Sequence, residues 1–286
     1  MHRDKALATD AMKKALLLRK RLEVPLDESV SAIDAAERLG IEVRLADFPS
    51  MEGMYIAGNS PKIILTAMRP QGRRNFTCAH ELGHHNFNHG EQFDDILEAN
   101  KLQRKDLKEF AADCFAAYFL MPKATIESGI SRRGFALKSL DAIQAYALAS
   151  WLGVGYKTLV SHLLHGTGMI SHHKADELYK LQPRDIRQQL LGETVSSQLH
   201  LIDNNWIGRA IDCEVGDYLL FDMDAIVEGE HLIKMRKKGF GTILQAVKPG
   251  ISRVSNASES WGAFVRISSP GFVGRSCYRF EDEVLD

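Results

Sequence analysis

Hydrophobic residues recur along this chain at two periods, and the change from one to the other divides it. Residues 4–21 (DKALATDAMKKALLLRKR) are dense in strong helix formers and predict a helix. The run DESVSAIDAAERLG predicts a second, capped by Asp27 or Ser29 and stopped at Gly40. In IEVRLADF the residues Ile41, Val43 and Leu45 alternate with polar neighbours, which is the period of a strand. MYIAG and KIILT are two further β-runs around the turn-forming NSP, so three strands predict a small sheet before residue 70. From Arg73 to about Asn88 the period is helical. Residues 105–120 form a longer, Ala-rich helix that ends at Met121–Pro122, because proline disfavours helical geometry in the residue before it. Residues 139–150 and 155–165 predict a helical pair joined by Leu152-Gly153-Val154-Gly155. Beyond about residue 190 the runs AIDCEVGDYLLFD, AIVEGEHLIKM, TILQAV, AFVRI and SCYRF are short and β-like. With a soft boundary near 170–195, the expected parts are an N-terminal helix (1–24), a mixed region (25–168) and a mostly β C-terminal domain (169–286).

Composition narrows the class without choosing a function. Hydrophobic residues make up 45% and charged residues 26% of 286 residues, and the net charge is −1. Those values suit a chain that buries a core and give no general attraction to nucleic acid or an anionic membrane. The locally basic start (Arg3, Lys5, Lys13, Lys14, Arg19, Lys20, Arg21) is interleaved with Asp4, Asp10 and Glu23 and reads as a solvated helix face. Cys78, Cys114, Cys213 and Cys277 form no CxxC pair, which argues against a disulfide framework or a cysteine zinc site. No stretch approaches the ~20 apolar residues of a membrane helix, and the start lacks a signal peptide's apolar run. A soluble protein of the cytoplasm is the expectation.

The chemistry lies in Arg73-Arg74-Asn75-Phe76-Thr77-Cys78-Ala79-His80-Glu81-Leu82-Gly83-His84-His85, which contains HExxH. Residues four apart share a helix face, so His80 and His84 can turn both imidazoles to one ion. Two neutral imidazoles and a carboxylate suit a tetrahedral zinc with one position open to water. Glu81, beside the first ligand, can act as general base on the attacking water. His85 falls off the His80/His84 face, His89 lies close by, and Cys78 fits a small buried side chain. Spacing leaves the third ligand open. Glu109, which opens the Ala-rich helix, is one candidate; Glu91, Asp94, Asp95 and Glu98, in a polar and loop-like stretch, compete with it.

At these residues the chain resembles the ImmA/IrrE-type zinc metallopeptidases of bacteria and their mobile elements. The likeness rests on MEGMYIAGNSPKIILT followed by RRNFTCAHELGHH, on E-x2-A-x-x-F-A-A-x-x-L-M-P from Glu109 to Pro122, and on LASWLGVGYKTLVSHLLHG. It covers roughly residues 25–168. The resemblance implies an α+β, zincin-like minimal metallopeptidase domain with a small sheet and the HExxH helix, followed by the helical pair and the mostly β domain. It implies Zn2+ held by His80, His84 and Glu109, with Glu81 as catalytic base. Asp113 stands where the family often has asparagine, and a supporting role beside the metal is expected for it. The resemblance also implies an endopeptidase that cleaves a helix-turn-helix transcriptional repressor in stress response or mobile-element control. Only about 25 residues precede the catalytic region, so the repressor is expected to be a separate protein. A zinc-containing binding module that controls a repressor without cutting it is the alternative; an intact Glu81 favours the enzyme.

Four further features bear on function. The pair at 139–165, with Lys157, Ser161 and His162 on its second helix, has the outline of a DNA-reading motif but little basic charge, and a structural or substrate-docking pair is expected. Tyr156 is a candidate oxyanion donor, although packing is the simpler role. Met235-Arg236-Lys237-Lys238-Gly239 reads as a solvated hairpin tip. Trp206, Tyr218, Phe221 and Trp261 fit core positions.

Overall fold

The computed structural model describes residues 2–90, 92–95, 106–238 and 241–281. Helix α1 (His2–Arg21) packs along α4 (Leu107–Leu120), and α2 (Ala32–Arg38) leads into strand β1 (Glu42–Ala46). Strands β2 (Met51–Ile56) and β3 (Lys62–Thr66) form the expected hairpin, with Met54 opposite Ile64 and Tyr55 opposite Ile63. Strand β3 runs parallel to β1. The sheet gains two strands the sequence pattern did not announce, giving the order β13-β1-β3-β2-β4, where β4 is Gln92–Asp95 and β13 is Gly274–Arg275. Asp94 and Asp95 therefore lie on a strand and not in a loop. Helix α3 (Gln71–Phe87) lies across β2 and β3 and packs on α4.

The second helix starts later than predicted. Its cap is Ser31, whose Oγ accepts from Asp34 N at 3.2 Å, and neither Asp27 nor Ser29 serves. A distant residue decides this. Arg19 is fully buried and donates to the carbonyls of Phe119 and Pro25, both at 2.7 Å, and to that of Glu28. Those bonds hold residues 25–28 in turns. Helices α5 (Lys123–Arg132), α6 (Ala142–Leu152) and α7 (Tyr156–Ser161) follow, the last running into a π turn (His162–Gly166). Asp141 and Gln144 form a capping box at the start of α6, and Gly153, at φ +67°, ends it with the left-handed turn glycine permits. Helices α8 (His172–Tyr179) and α9 (Pro183–Leu191) were not foreseen.

The remainder is strand-rich. Strands β5 (Leu199–Ile202), β6 (Ala210–Glu214), β7 (Tyr218–Phe221), β8 (Ile226–Glu228), β9 (Leu232–Lys238), β10 (Gly241–Ala246), β11 (Gly250–Ser255) and β12 (Gly262–Ser268) build two sheets, β5-β7-β10-β9 and β6-β12-β11-β8. Residues 235–238 form the end of β9 next to the turn of the β9–β10 hairpin, where Lys238 pairs with Gly241; Gly239 lies outside the described residues. SCYRF is not a strand. Residues Ser276–Tyr278 make a 3-10 turn, because Arg279 Nη1 folds back to Ser276 O at 2.7 Å while the buried Ser276 hydroxyl bonds Glu37.

One buried apolar cluster runs unbroken from Ala11 through Ile63, Phe115 and Trp151 to Phe221 and Ile267. A polar seam accompanies it. Arg266 Nη2 reaches Asp34 at 2.9 Å and Asp212 at 2.8 Å, and Arg279 Nη2 lies 3.2 Å from Asp212. Arg74 on α3 pairs with Glu214 on β6. With β13 laid on β1, these pairs tie the strand-rich region to the first sheet and to α2 and α3.

Candidate metal centre

Two helices meet here at glycine distance. A Cβ on Gly83 would stand 3.0 Å from Ala112 Cα, 3.2 Å from its carbonyl oxygen and 3.3 Å from its Cβ. Only glycine against alanine lets α3 and α4 approach so closely. Gly83 lies between His80 and His84, and Ala112 lies one turn beyond Glu109, so this contact sets the gap between the imidazoles and the carboxylate.

Across that gap His80 Nε2 and His84 Nε2 are 2.9 Å apart. Glu109 Oε2 is 3.1 Å from His80 Nε2, and Oε1 is 3.4 Å from His84 Nε2. Donors bound at 2.0–2.2 Å to a tetrahedral zinc sit roughly 3.3–3.6 Å apart, so these separations are within a few tenths of an ångström of a ligand set. Nitrogen, nitrogen and carboxylate oxygen are also the donor types such an ion takes. The residues fit a divalent metal. Burial would raise the Glu109 carboxyl, but hydrogen bonds and positive charge from His80 and His84 outweigh it and hold it well below the usual carboxylate range.

The rear faces of both rings are oriented. Asp113 Oδ1 is 2.9 Å from His80 Nδ1, and His89 Nδ1 is 3.0 Å from His84 Nδ1. His89 gets there because α3 ends at Asn88 in a left-handed conformation, φ 54°, which turns the chain back. Burial first, then the His84 charge, lowers His89 to about 4 and keeps it neutral near pH 7. Lys108 Nζ holds His89 O at 3.2 Å, and Asp106 caps α4 one turn before the site.

Glu81 is fully buried. It packs beneath β2 at Gly53, where a Cβ would stand 2.9 Å from Glu81 Oε1 and 2.5 Å from Thr77 Cγ2. That position carried no sequence signal beyond the glycine. His85 Nδ1 lies 2.7 Å from Tyr55 Oη, away from the cluster. Cys78 is fully buried, and burial pushes its thiol up. Of the competing carboxylates, Glu91 and Glu98 lie outside the described residues, as do the side chains of Asp94 and Asp95. Tyr156 is no oxyanion donor, because its buried hydroxyl is spent on Leu178 O at 2.7 Å. His162 likewise points inward, Nε2 2.9 Å from Met121 O, while Lys157 and Ser161 are exposed. Trp206, Phe221 and Trp261 are buried as expected.

Residues 36–164 match the family model of the IrrE N-terminal-like domain, peptidase M78. No curated protein sequence matches the chain. Among solved structures, the crystal structure of the cysteine protease inhibitor EhICP2 from Entamoeba histolytica is similar at 12% identity. It covers 26% of this chain and 98% of that one, with a TM-score of 0.21, too low to carry an argument. No helix among the described residues is long and apolar enough to cross a membrane.

Proposed function

Residues 36–164 carry a domain of the IrrE N-terminal-like peptidase family, and from that premise we propose that the protein is a zinc-dependent endopeptidase that cleaves a regulatory protein in the cytoplasm. Its substrate is a separate helix-turn-helix transcriptional repressor, and its context is stress response or mobile-element control. The observation that carries this reading is the convergence of His80, His84 and Glu109, with Glu81 next in sequence, inside the matched segment. The zincin-like architecture belongs to the same proposal.

His80 Nε2, His84 Nε2 and the Glu109 carboxylate would hold a zinc ion, which would supply Lewis acidity at that point. Glu81 takes the proton of the attacking water on its carboxylate and delivers it to the leaving amine. Burial beneath Gly53 fixes that carboxylate where bulk water does not screen it. Asp113 and His89 hold the imidazoles in orientation, which preserves the ligand spacing. Residues 169–286 serve substrate recognition or signal sensing, so that cleavage is conditional.

The test is metal analysis joined to co-expression with the helix-turn-helix regulator encoded beside the gene. Wild-type protein should hold about one zinc per chain, and His80→Ala and His84→Ala should lose it. Glu81→Gln should keep zinc and leave the regulator intact, where wild type yields a shortened fragment. Full zinc in both histidine variants removes the site assignment. Regulation without any fragment in wild type replaces the enzyme with the non-proteolytic binding module.

A further inference from the structure

A cavity of about 570 Å3 opens where the family-matched half meets the strand-rich region, away from the His80–His84–Glu109 cluster. Its size is that of a small-molecule site. Cations crowd its wall: Arg73, Lys157, Arg187, Arg209 and Arg266 all line it, against the carboxylates of Asp34 and Asp212. Most of that charge is accounted for. Arg266 holds both carboxylates, Arg209 reaches Glu28 at 3.1 Å, and Arg73 reaches Glu52 at 3.1 Å. Lys157 and Arg187 remain; neither meets a carboxylate among the described residues, and Arg187 hydrogen-bonds the Tyr146 side chain.

The backbone adds to these two cations. Helix α3 begins at the cavity after Pro70 with no side-chain cap, so the first N–H groups of a 17-residue helix face that end. The loop Gly153–Gly155 lies against it, where a Cβ on Gly72 would stand 2.9 Å from Val154 C. Asn75 ties both together, accepting from Ala32 N at 2.7 Å and donating to Gly153 O at 2.8 Å.

We propose that this cavity binds a phosphate-bearing small molecule of about nucleotide size, with Lys157, Arg187 and the start of α3 holding the anion. The ligand bridges α3, the helical pair and α9. It sits at the opposite end of the helix that carries His80 and His84. The assignment stands on the cavity alone and does not depend on the peptidase reading.

The experiment titrates the full-length, zinc-loaded protein separately with inorganic pyrophosphate and with ATP, by calorimetry and by Trp fluorescence. The same titrations are run on Lys157→Glu and Arg187→Glu, and on a His84→Ala background. Zinc content and circular dichroism are recorded before and after. Saturable one-to-one binding at millimolar concentration or below is expected, weakened roughly tenfold or more by either charge reversal and retained in His84→Ala. Equal affinity for the two probes identifies free phosphate chemistry as the ligand; tighter ATP binding adds the nucleoside. Absence of binding by both probes overturns the assignment. So does binding that both folded charge-reversal variants leave unchanged, or binding that disappears with His84→Ala, which would belong to the metal.

Discussion

Replacing Gly83 tests whether the helix–helix contact sets the metal site. In Gly83→Ala the new Cβ meets Ala112 Cα at 3.0 Å and its carbonyl oxygen at 3.2 Å. These are backbone atoms, so no rotamer change relieves the contact. Carbon pairs settle at about 3.5–4.0 Å, and α4 must therefore recede by roughly 0.5–1 Å. Metal sites hold their ligand distances to within about 0.2 Å, so Glu109 moves out of reach while the two imidazoles, both on α3, stay. Zinc affinity should fall about 10- to 100-fold, in the range seen when a ligand's supporting contacts are lost. The metal's contribution to stability should drop by about 1.4–2.7 kcal/mol at fixed free zinc. Metal-free stability should fall by about 0–2 kcal/mol, the overpacking cost of about 1–3 kcal/mol less the roughly 1 kcal/mol the helix gains from Ala over Gly. Gly83→Val should be worse than Gly83→Ala in both respects. The assay is a competition titration against a chromogenic chelator, with thermal melts in the presence and absence of zinc. Wild-type zinc affinity in a folded Gly83→Val protein would falsify the argument that this contact places Glu109.

Asp113→Ala removes the partner of His80 Nδ1, and zinc affinity should fall about tenfold by the same titration; an unchanged value would make the 2.9 Å contact incidental. His162 is held neutral by burial, its pKa lowered to about 4 from the ordinary 6.5. The unfolded chain therefore binds the extra proton first, and stability present above about pH 6.5 should be lost as pH falls toward 4, by about 3 kcal/mol. Urea midpoints for His162→Gln, whose amide can still donate to Met121 O, should fall less over that window; parallel curves would assign the loss to other groups. Tyr156→Phe should cost about 1 kcal/mol for the bond to Leu178 O and leave any cleavage rate unchanged. A large rate loss would return Tyr156 to the reaction.

The sequence by itself determined the local features. Spacing on one helix put His80 and His84 on a common face, and no tertiary information was needed, since an i,i+4 pair is adjacent on any helix. The β2–β3 hairpin and helices α3, α4, α6 and α7 were legible for the same reason, as period, cap and breaker act over a few residues. Spacing could not choose the third carboxylate among five candidates. A resemblance favoured Glu109, and the fold brings Glu109 to the two imidazoles through the approach of Gly83 to Ala112, residues 29 positions apart. Elements set by distant partners were misread in the same way. Arg19 moved the start of α2 to Ser31, and Ser276 and Arg279 turned SCYRF out of a strand. The short strands β4 and β13 exist by pairing with edges already formed, and two to four residues carry too little pattern to announce that. The cavity is the extreme case. Arg73, Lys157, Arg187 and Trp206 are far apart in the chain, and only the packing of the strand-rich region on α3 and the helical pair gathers them, because burial and charge act through space and periodicity along one element cannot encode a meeting of several.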